Sequence, residues 1–459
     1  MRRRKNALGR KNEQGFIITL VAVFMLGVVG AMAALSIDLV TIYTARSEAQ
    51  LAADSAALAA ARVLANSGAT SDTTGASMSS AWTVAQAVAL QVAEQNTVGG
   101  VTLTSAQVTI PANPGGTNSN PTFTIKVQIT NLPTFFARIW GTKFVTVGAS
   151  ATAEAYNPSE SSALVGASTT PVAPICVKPW LLPNIDPTGT ITGANKEIFS
   201  PRSGRIRHAT LLGKGWPYPT GNPNGLYADC GDCSPGVVGP NLPAPAAGEY
   251  YPGAIDAADF PAPTQALPAC SSGFSTNGYQ LAVAGCVQQP ISCGATAQVN
   301  IDVTPYTPTN AVGGRDADTV QAAECLIHYV SAAGDSDSID INYASSPFQF
   351  LAGIQNPIAS AVGKDVMVSD SLVTIPVIDY PGGSSTPTTA NPTVTVIGFL
   401  QVFLNPQSAA LPLPSLPAPP GSNQIPATII NMAGCGTNAN GQPILGNGAS
   451  PVAVRLISQ

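Results

Sequence analysis

"QLAADSAALAAARVLA", Gln50–Ala65, is half alanine, and its aspartate follows its glutamine by four residues. Alanine is the strongest helix former, so the stretch reads as helix. Its side chains bury about one methyl each, so burial at each site stabilises little. What alanine permits is close approach of a neighbouring backbone. Ile42, Ala45, Ala49, Ala52, Ala56, Ala59 and Val63 alternate by three and four, the spacing that presents one seam to a partner helix or sheet. Arg46, Gln50 and Asp54, each four apart, form a polar stripe beside it that can bond along the helix.

Working back toward the N-terminus, no Gly or Pro interrupts Ala31–Ser67, and Gly68 supplies a stop. Upstream stands "FIITLVAVFMLGVVGAMAAL", Phe16–Leu35, with no charged residue between Glu13 and Asp38. At 1.5 Å per residue this run spans roughly 30 Å, a bilayer core. Phe16, Leu20, Phe24, Gly27, Ala31 and Leu35 mark it as a membrane anchor. Arg2, Arg3, Arg4, Lys5, Arg10 and Lys11 precede it, which predicts a cytoplasmic N-terminus and an external bulk. A cleaved signal peptide is the alternative, with "AMAALS" as its cleavage site, but its apolar core is only about 7–15 residues. Gly27 with Ala31, and Gly30 with Ala34, follow a small-xxx-small spacing that allows a helix-mediated oligomer. The anchor is expected to continue outward as one rod to about Asn66, on the order of 75 Å long.

This N-terminal arrangement resembles that of TadG-like proteins of the Tad (Flp) pilus-assembly system. The family pattern has a glycine before the membrane helix, an aspartate just past it, then a tyrosine, a basic residue, a glutamine and an alanine-rich run. Gly15, Asp38, Tyr43, Arg46, Gln50, Asp54, Ala56, Ala57, Leu58 and Ala59 fall on it in order. The resemblance implies a non-enzymatic pilus-assembly component. Asp38, Tyr43, Arg46, Gln50, Asp54, Ala56, Ala57 and Leu58 form its interaction helix, and the alanine seam docks on other assembly or pilin-like subunits. Gly15-Phe16 also resembles a prepilin-peptidase junction, which makes a cleaved minor pilin an alternative. The glutamate usual five residues into such mature chains is Leu20 here.

A second helix is predicted over Ala76–Asn96, with Trp82, Ala85, Ala89 and Val92 on one face. Val101–Ile110, Thr122–Thr130 and Lys143–Ala155 alternate with period two and read as strands. "LPTFFARIWG" between the last two reads as a short helical or turn segment carrying aromatics. The fold class expected is α+β: a transmembrane helix continuing into a long helix, a small antiparallel sheet, then a β-rich, loop-heavy domain with disulfides. The expected boundaries are a basic flank at 1–15, a membrane helix at 16–37, a rod with a pilin-like α+β module at 38–156, a linker at 157–174 and an external domain at 175–459.

That last region holds all eight cysteines: Cys176, Cys230, Cys233, Cys270, Cys286, Cys293, Cys325 and Cys435. Together with the anchor they point to a disulfide framework in an oxidising compartment, which the resemblance implies is the periplasm of a bacterial inner-membrane protein. "QVNIDVTPY", "SIDINY", "DVMVSDSLVTIPVIDY" and "PTVTVIGFLQVFL" read as strands, Asp316–Gly334 as a helix capped by Asp316 or Asp318, and Ser408–Ala427 as an extended proline-rich loop.

Charged residues make up only 10% of the chain, and beyond the N-terminus the basic cluster Arg202, Arg205 and Arg207 is small, so no nucleic-acid partner is expected. The lipid bilayer and other pilus proteins are the expected partners. Cys230 and Cys233 have zinc or redox spacing but lack a second ligand pair. Cys325 and His328 share a helix face, a packing arrangement more than a nucleophilic one. Some TadG-like chains carry a von Willebrand A domain, but "DSDSID" at Asp335 lacks its Asp-x-Ser-x-Ser loop. Asp335, Asp337 and Asp340 lack the glycine and glutamate of an EF-hand and read as a solvated turn. No cofactor or metal site is expected. An anchored extracytoplasmic binding protein or hydrolase, with a pocket in the cysteine-rich part, is the second functional class.

Overall fold

A computed structural model describes residues 10–459 except 73, 111, 113–119, 160–168, 189, 193–194, 217–252, 257–258, 260–277, 302–313, 341–347, 367, 380–391, 406–426, 446–448 and 459. The fold is mixed α+β. Helix α1, Arg10–Asn66, is one unbroken element of 57 residues. It ends where the sequence places its stop: Gly68 takes φ +77°, and a Cβ there would meet the Ile430 carbonyl oxygen at 2.7 Å. Left-handed backbone and close approach both require glycine.

Helix α2, Met78–Glu94, folds back on α1. Asp72 caps its entry, accepting from the Ser77 backbone N–H at 2.9 Å and from the Thr74 hydroxyl at 2.6 Å. After it come the short strands β1 (Thr97–Val98), β2 (Val101–Thr102) and β3 (Val108–Thr109). The single strand expected over Val101–Ile110 is therefore broken. A 3-10 turn at Ser105–Gln107 interrupts it, held by a capping box between Thr104 and Gln107. The hydroxyl and amide side chains satisfy backbone groups locally and compete with the ladder. Strands β4 (Thr122–Pro133) and β5 (Phe144–Tyr156) pair antiparallel over most of their length.

Alanine on α1 meets the inward face of this sheet, and alanine on α2 packs in the same core with α1. Ala45, Ala49, Ala52, Ala53, Ala56, Ala57, Ala60 and Ala61 of α1 are wholly buried, as are Ala81, Ala85, Ala89 and Ala93 of α2. Phe123, Ile125 and Val127 of β4 and Ala151, Ala153 and Ala155 of β5 join them in one core. Trp82 supplies the bulk that the alanines lack, its ring 4.8 Å from that of Phe123. Small side chains let the backbones approach, and one large aromatic fills the remaining volume at crystal-like density.

The second body begins with β6 (Val172–Ala173), β7 (Trp180–Pro183), β8 (Gly215–Trp216) and β9 (Gly253–Ala254). It continues through helix α3 (Gly278–Ala284), β10 (Gln298–Asn300), helix α4 (Gly314–Leu326), β11 (Ser338–Asp340), β12 (Gln349–Leu351) and β13 (Asp365–Val366). Its central strands are β14 (Leu372–Ile378), β15 (Thr393–Leu404) and β16 (Ala427–Gly434), followed by β17 (Ile444–Leu445). The main sheet runs β8-β16-β15-β14-β7-β9, with β10 added to β15. β14 and β16 are buried throughout and β15 nearly so, which matches their continuous apolar runs. Cys176–Cys286 and Cys293–Cys435 are bridged across 110 and 142 residues. Cys325 is disulfide-bonded as well. Cys230, Cys233 and Cys270 lie outside the described residues, as does nearly all of the proline-rich loop.

Several expected boundaries shift. The final strand β18, Ala453–Ser458, pairs antiparallel with β5 and completes the sheet β18-β5-β4-β3. The module at 38–156 is thus closed by the far end of the chain, locked by an Arg455–Glu154 ion pair at 2.8 Å. The supposed linker is anchored at both described ends. Asn157 is fully buried and donates to Met432 O and Thr70 O, and β6 pairs parallel with β17. The helix expected over Asp316–Gly334 starts at Gly314 and stops at Leu326. The His328 N–H bonds Cys325 O and the Tyr329 N–H bonds Glu324 O, closing the C-terminus.

Candidate functional site

The predicted site residues divide at Asp38. On its N-terminal side, Phe16 is 71% exposed and Phe24 68%, with Leu20 and Leu35 also bare, and no part of the span's apolar window is buried. Gly27 and Gly30 face open space within the single chain. By length and composition this is a helix able to cross a membrane.

Asp38 itself is buried. Its Oδ1 accepts the Phe135 N–H at 2.8 Å, and its Oδ2 accepts the N–H groups of Phe136 at 2.9 Å and Ala137 at 2.6 Å. Those donors open a 3-10 turn, Ala137–Trp140, at the tip of the β4–β5 hairpin. Burial works to raise the Asp38 pKa, but the three peptide N–H bonds outweigh it, and the carboxyl titrates below its ordinary value. The aspartate that sequence reading marked as interfacial is therefore the clasp between helix and module.

Beyond it, the polar residues of α1 serve the same attachment. Glu48 accepts the Gly99 N–H at 2.7 Å. Gln50 donates to Asp54 at 2.7 Å along the helix, and reaches Ser150 O of β5 at 3.3 Å. Ala56 and Ala57 lie inside the core, and Leu58 is half-buried. The alanine seam faces the protein's own sheet and second helix, so it is not available for docking to another subunit. The accessible face of the rod instead carries Tyr43, Arg46, Ser47 and Leu51, with Tyr43 65% and Leu51 64% exposed.

Where α1 ends, it joins the second body. Asn431 of β16 donates to Ala65 O at 2.8 Å and to Gln401 at 2.6 Å, and the Ser71 hydroxyl donates to Met432 O at 3.0 Å. Beside this junction lies a cavity of about 960 Å³, lined by Leu58 and Arg62 of α1 and by Lys178, Cys286, His328 and Asp370. Sequence reading did not place this group together. Lys178 Nζ donates to Val283 O at 2.7 Å and Gly285 O at 2.8 Å. Burial pushes its amine down to about 7, against the opposing pull of the Asp370 carboxylate. His328 contacts Asp370 at 2.9 Å. His328 and Cys176, both lining the cavity, are the non-glycine residues with positive φ among the described residues, at 60° and 56°.

A nucleophilic Cys325–His328 pair does not form: His328 lies beyond the helix, and Cys325 is in a disulfide. Of the hydroxyls on the cavity, Ser369 is committed to Asp337 at 2.6 Å. The acidic cluster is structural. Asp335 accepts from the backbone of Val330, Ser331 and Ala332, which holds its pKa down. Asp337 binds Gly353 N and Asn356. Both are buried rather than forming the solvated turn expected. Among the described residues no group of three metal-binding side chains converges.

The segment carrying the bare span, the Asp38 clasp and the alanine face is similar to a known family. Residues 15–63 match the family model "Putative Flp pilus-assembly TadE/G-like". This segment is similar to the Tad family. It begins at Gly15 and ends within the buried alanine run, so it includes both halves of α1. The match and the apolar helix fit a membrane-anchored protein of the Tad/Flp pilus system. No curated protein and no solved structure shows significant similarity to the chain.

Proposed function

We propose that the chain is a single-pass membrane protein that serves Tad/Flp pilus assembly through protein–protein contacts, without catalysis. The observation that carries this is the change of surroundings along α1. Large apolar side chains are bare up to Ile37, and from Asp38 onward one face is buried on the module. An all-round apolar helix requires a lipid or protein environment. The cationic flank favours a cytoplasmic N-terminus, and the disulfides suit an oxidising exterior.

The contacts assigned to partners are on the exposed face of the rod, at Tyr43, Ser47 and Leu51. Photocrosslinkers at these positions in intact cells should capture pilin-like or other Tad proteins. Equal recovery from all three positions and from Ser79 on α2, or no adduct at any of them, contradicts the reading.

A second reading, an anchored binding protein, is favoured by the cavity containing Lys178 and the His328–Asp370 pair. Lys178→Met and Asp370→Ala separate the two readings. Normal piliation with both variants folded leaves the cavity outside the assembly role, whereas lost piliation with normal crosslinking at Tyr43 makes it a working site.

A further inference from the structure

We infer that the β4–β5 hairpin tip is a second membrane contact, seated in the headgroup–acyl boundary beside the point where α1 leaves the bilayer. The inference rests on α1 being a membrane span. Phe135, Ile139 and Trp140 of the short loop and Phe144 at the start of β5 are 62%, 73%, 60% and 55% exposed, whereas most inward side chains of the same two strands are buried. Four large apolar side chains on a single tip form a patch that soluble surfaces rarely leave uncovered.

The tip's height is fixed by Asp38. Three consecutive peptide N–H groups, from Phe135 to Ala137, bond its carboxylate, and Asp38 directly follows the last residue of the uncharged run. The tip backbone therefore lies within one side-chain length of the end of the span. Leu35 and Ile37, on α1 just before Asp38, are bare as well.

The loop is also built to hold its shape. Thr134 donates through its backbone to Lys143 O at 3.2 Å and through its hydroxyl to Thr142 O at 2.6 Å. Gly141 closes the 3-10 turn at φ +97°, its N–H on Arg138 O. A preformed tip loses little conformational freedom on insertion. Its composition matches the interface: Trp and Phe favour the headgroup level, and Arg138 and Lys143 can keep their charges among lipid phosphates with their stems in the apolar layer. This level, more than hydrophobicity alone, favours lipid over a protein partner. With the tip seated, α1 and the hairpin make two contacts with one bilayer, and the module cannot swing about the span.

The test uses the full chain in phosphatidylethanolamine–phosphatidylglycerol vesicles, some carrying a nitroxide at carbon 5 of the acyl chain. The signal is the fluorescence of the chain minus that of Trp140→Phe, which removes the reporter and keeps the apolar bulk. If the protein floats with the vesicles after an alkaline wash, and the Trp140 signal is quenched at least two-fold by the nitroxide but little by aqueous iodide, the tip is in lipid. If it floats, but iodide quenches Trp140 and the nitroxide does not, the tip is in water and the inference is overturned while the span stands. Failure to float removes the span, and the second contact with it.

Discussion

The two halves of α1 share one backbone and one helical propensity, yet they differ in side-chain size. From Phe16 to Ile37 the helix carries Phe, Leu, Ile, Val and Met, bare on every side. From Ala45 to Ala61 it carries alanine on the face that meets the sheet, buried to the last atom. Bulk serves where the surroundings are fluid and adapt to any shape. Small size serves where they are a fixed backbone that must come close. Hydrophobicity alone does not separate these cases, because both halves are apolar. Asp38, at the join, is the first charged residue after Glu13, and its charge is spent on the module's own peptide groups.

The largest effect should come from breaking the first half. Leu20→Arg with Phe24→Arg places two charges in the span, at roughly 2.5–3.5 kcal/mol each for a central position. The protein should move from the membrane to the soluble or degraded fraction on carbonate extraction. The second half should respond to size. Ala53→Leu or Ala57→Leu adds volume where none is free, at about 1–3 kcal/mol each by urea unfolding, with membrane insertion unchanged. The same change at Ala33, on the bare half, should leave the unfolding midpoint where it was.

Asp38→Asn tests the join. It keeps the shape and removes the charge that the three N–H groups favour, so the melting temperature should fall, by less than for the leucine variants. Since the folded carboxyl titrates below its unfolded value, its contribution is present above the ordinary carboxylate range and is lost as pH falls through the folded pKa. The difference in melting temperature between the chain and Asp38→Asn should be widest near neutral pH and shrink in acid. The smallest effect should come from the outer face of the rod. Tyr43→Ala and Leu51→Ser should change stability by no more than about 0.5 kcal/mol, while reducing partner crosslinking.

Much of α1 could be read directly. Its length, its stop at Gly68, the alanine face and the Gln50–Asp54 bond follow from spacing along one helix, where neighbours in space are neighbours in sequence. The β4–β5 hairpin was legible for the same reason. What the alanine face packs against was not. A seam that can take a partner does not say whether the partner is another chain or the next hundred residues. The C-terminal strand β18 pairs with β5 across some three hundred residues, and no local period in "AVRLIS" marks its mate. The strand β16, "ATIINMAG", follows the proline-rich stretch and escaped notice, although its Asn431 holds the end of α1. Of the site, Asp38 was singled out by position, but its partners Phe135–Ala137 lie about a hundred residues away. The cavity around Lys178 draws on eight separate stretches between Leu58 and Val454, each unremarkable alone.

The most direct test of the two-environment helix is a nitroxide scan along α1, one introduced cysteine at a time from Leu20 to Arg62, in membrane vesicles. Oxygen accessibility should be high at every position from Leu20 to Leu35. Past Asp38 it should fall into a 3.6-residue rhythm with minima at Ala45, Ala49, Ala52 and Ala56. A rhythm of burial already present before Asp38, or uniform access to water-soluble nickel chelate there, contradicts the account.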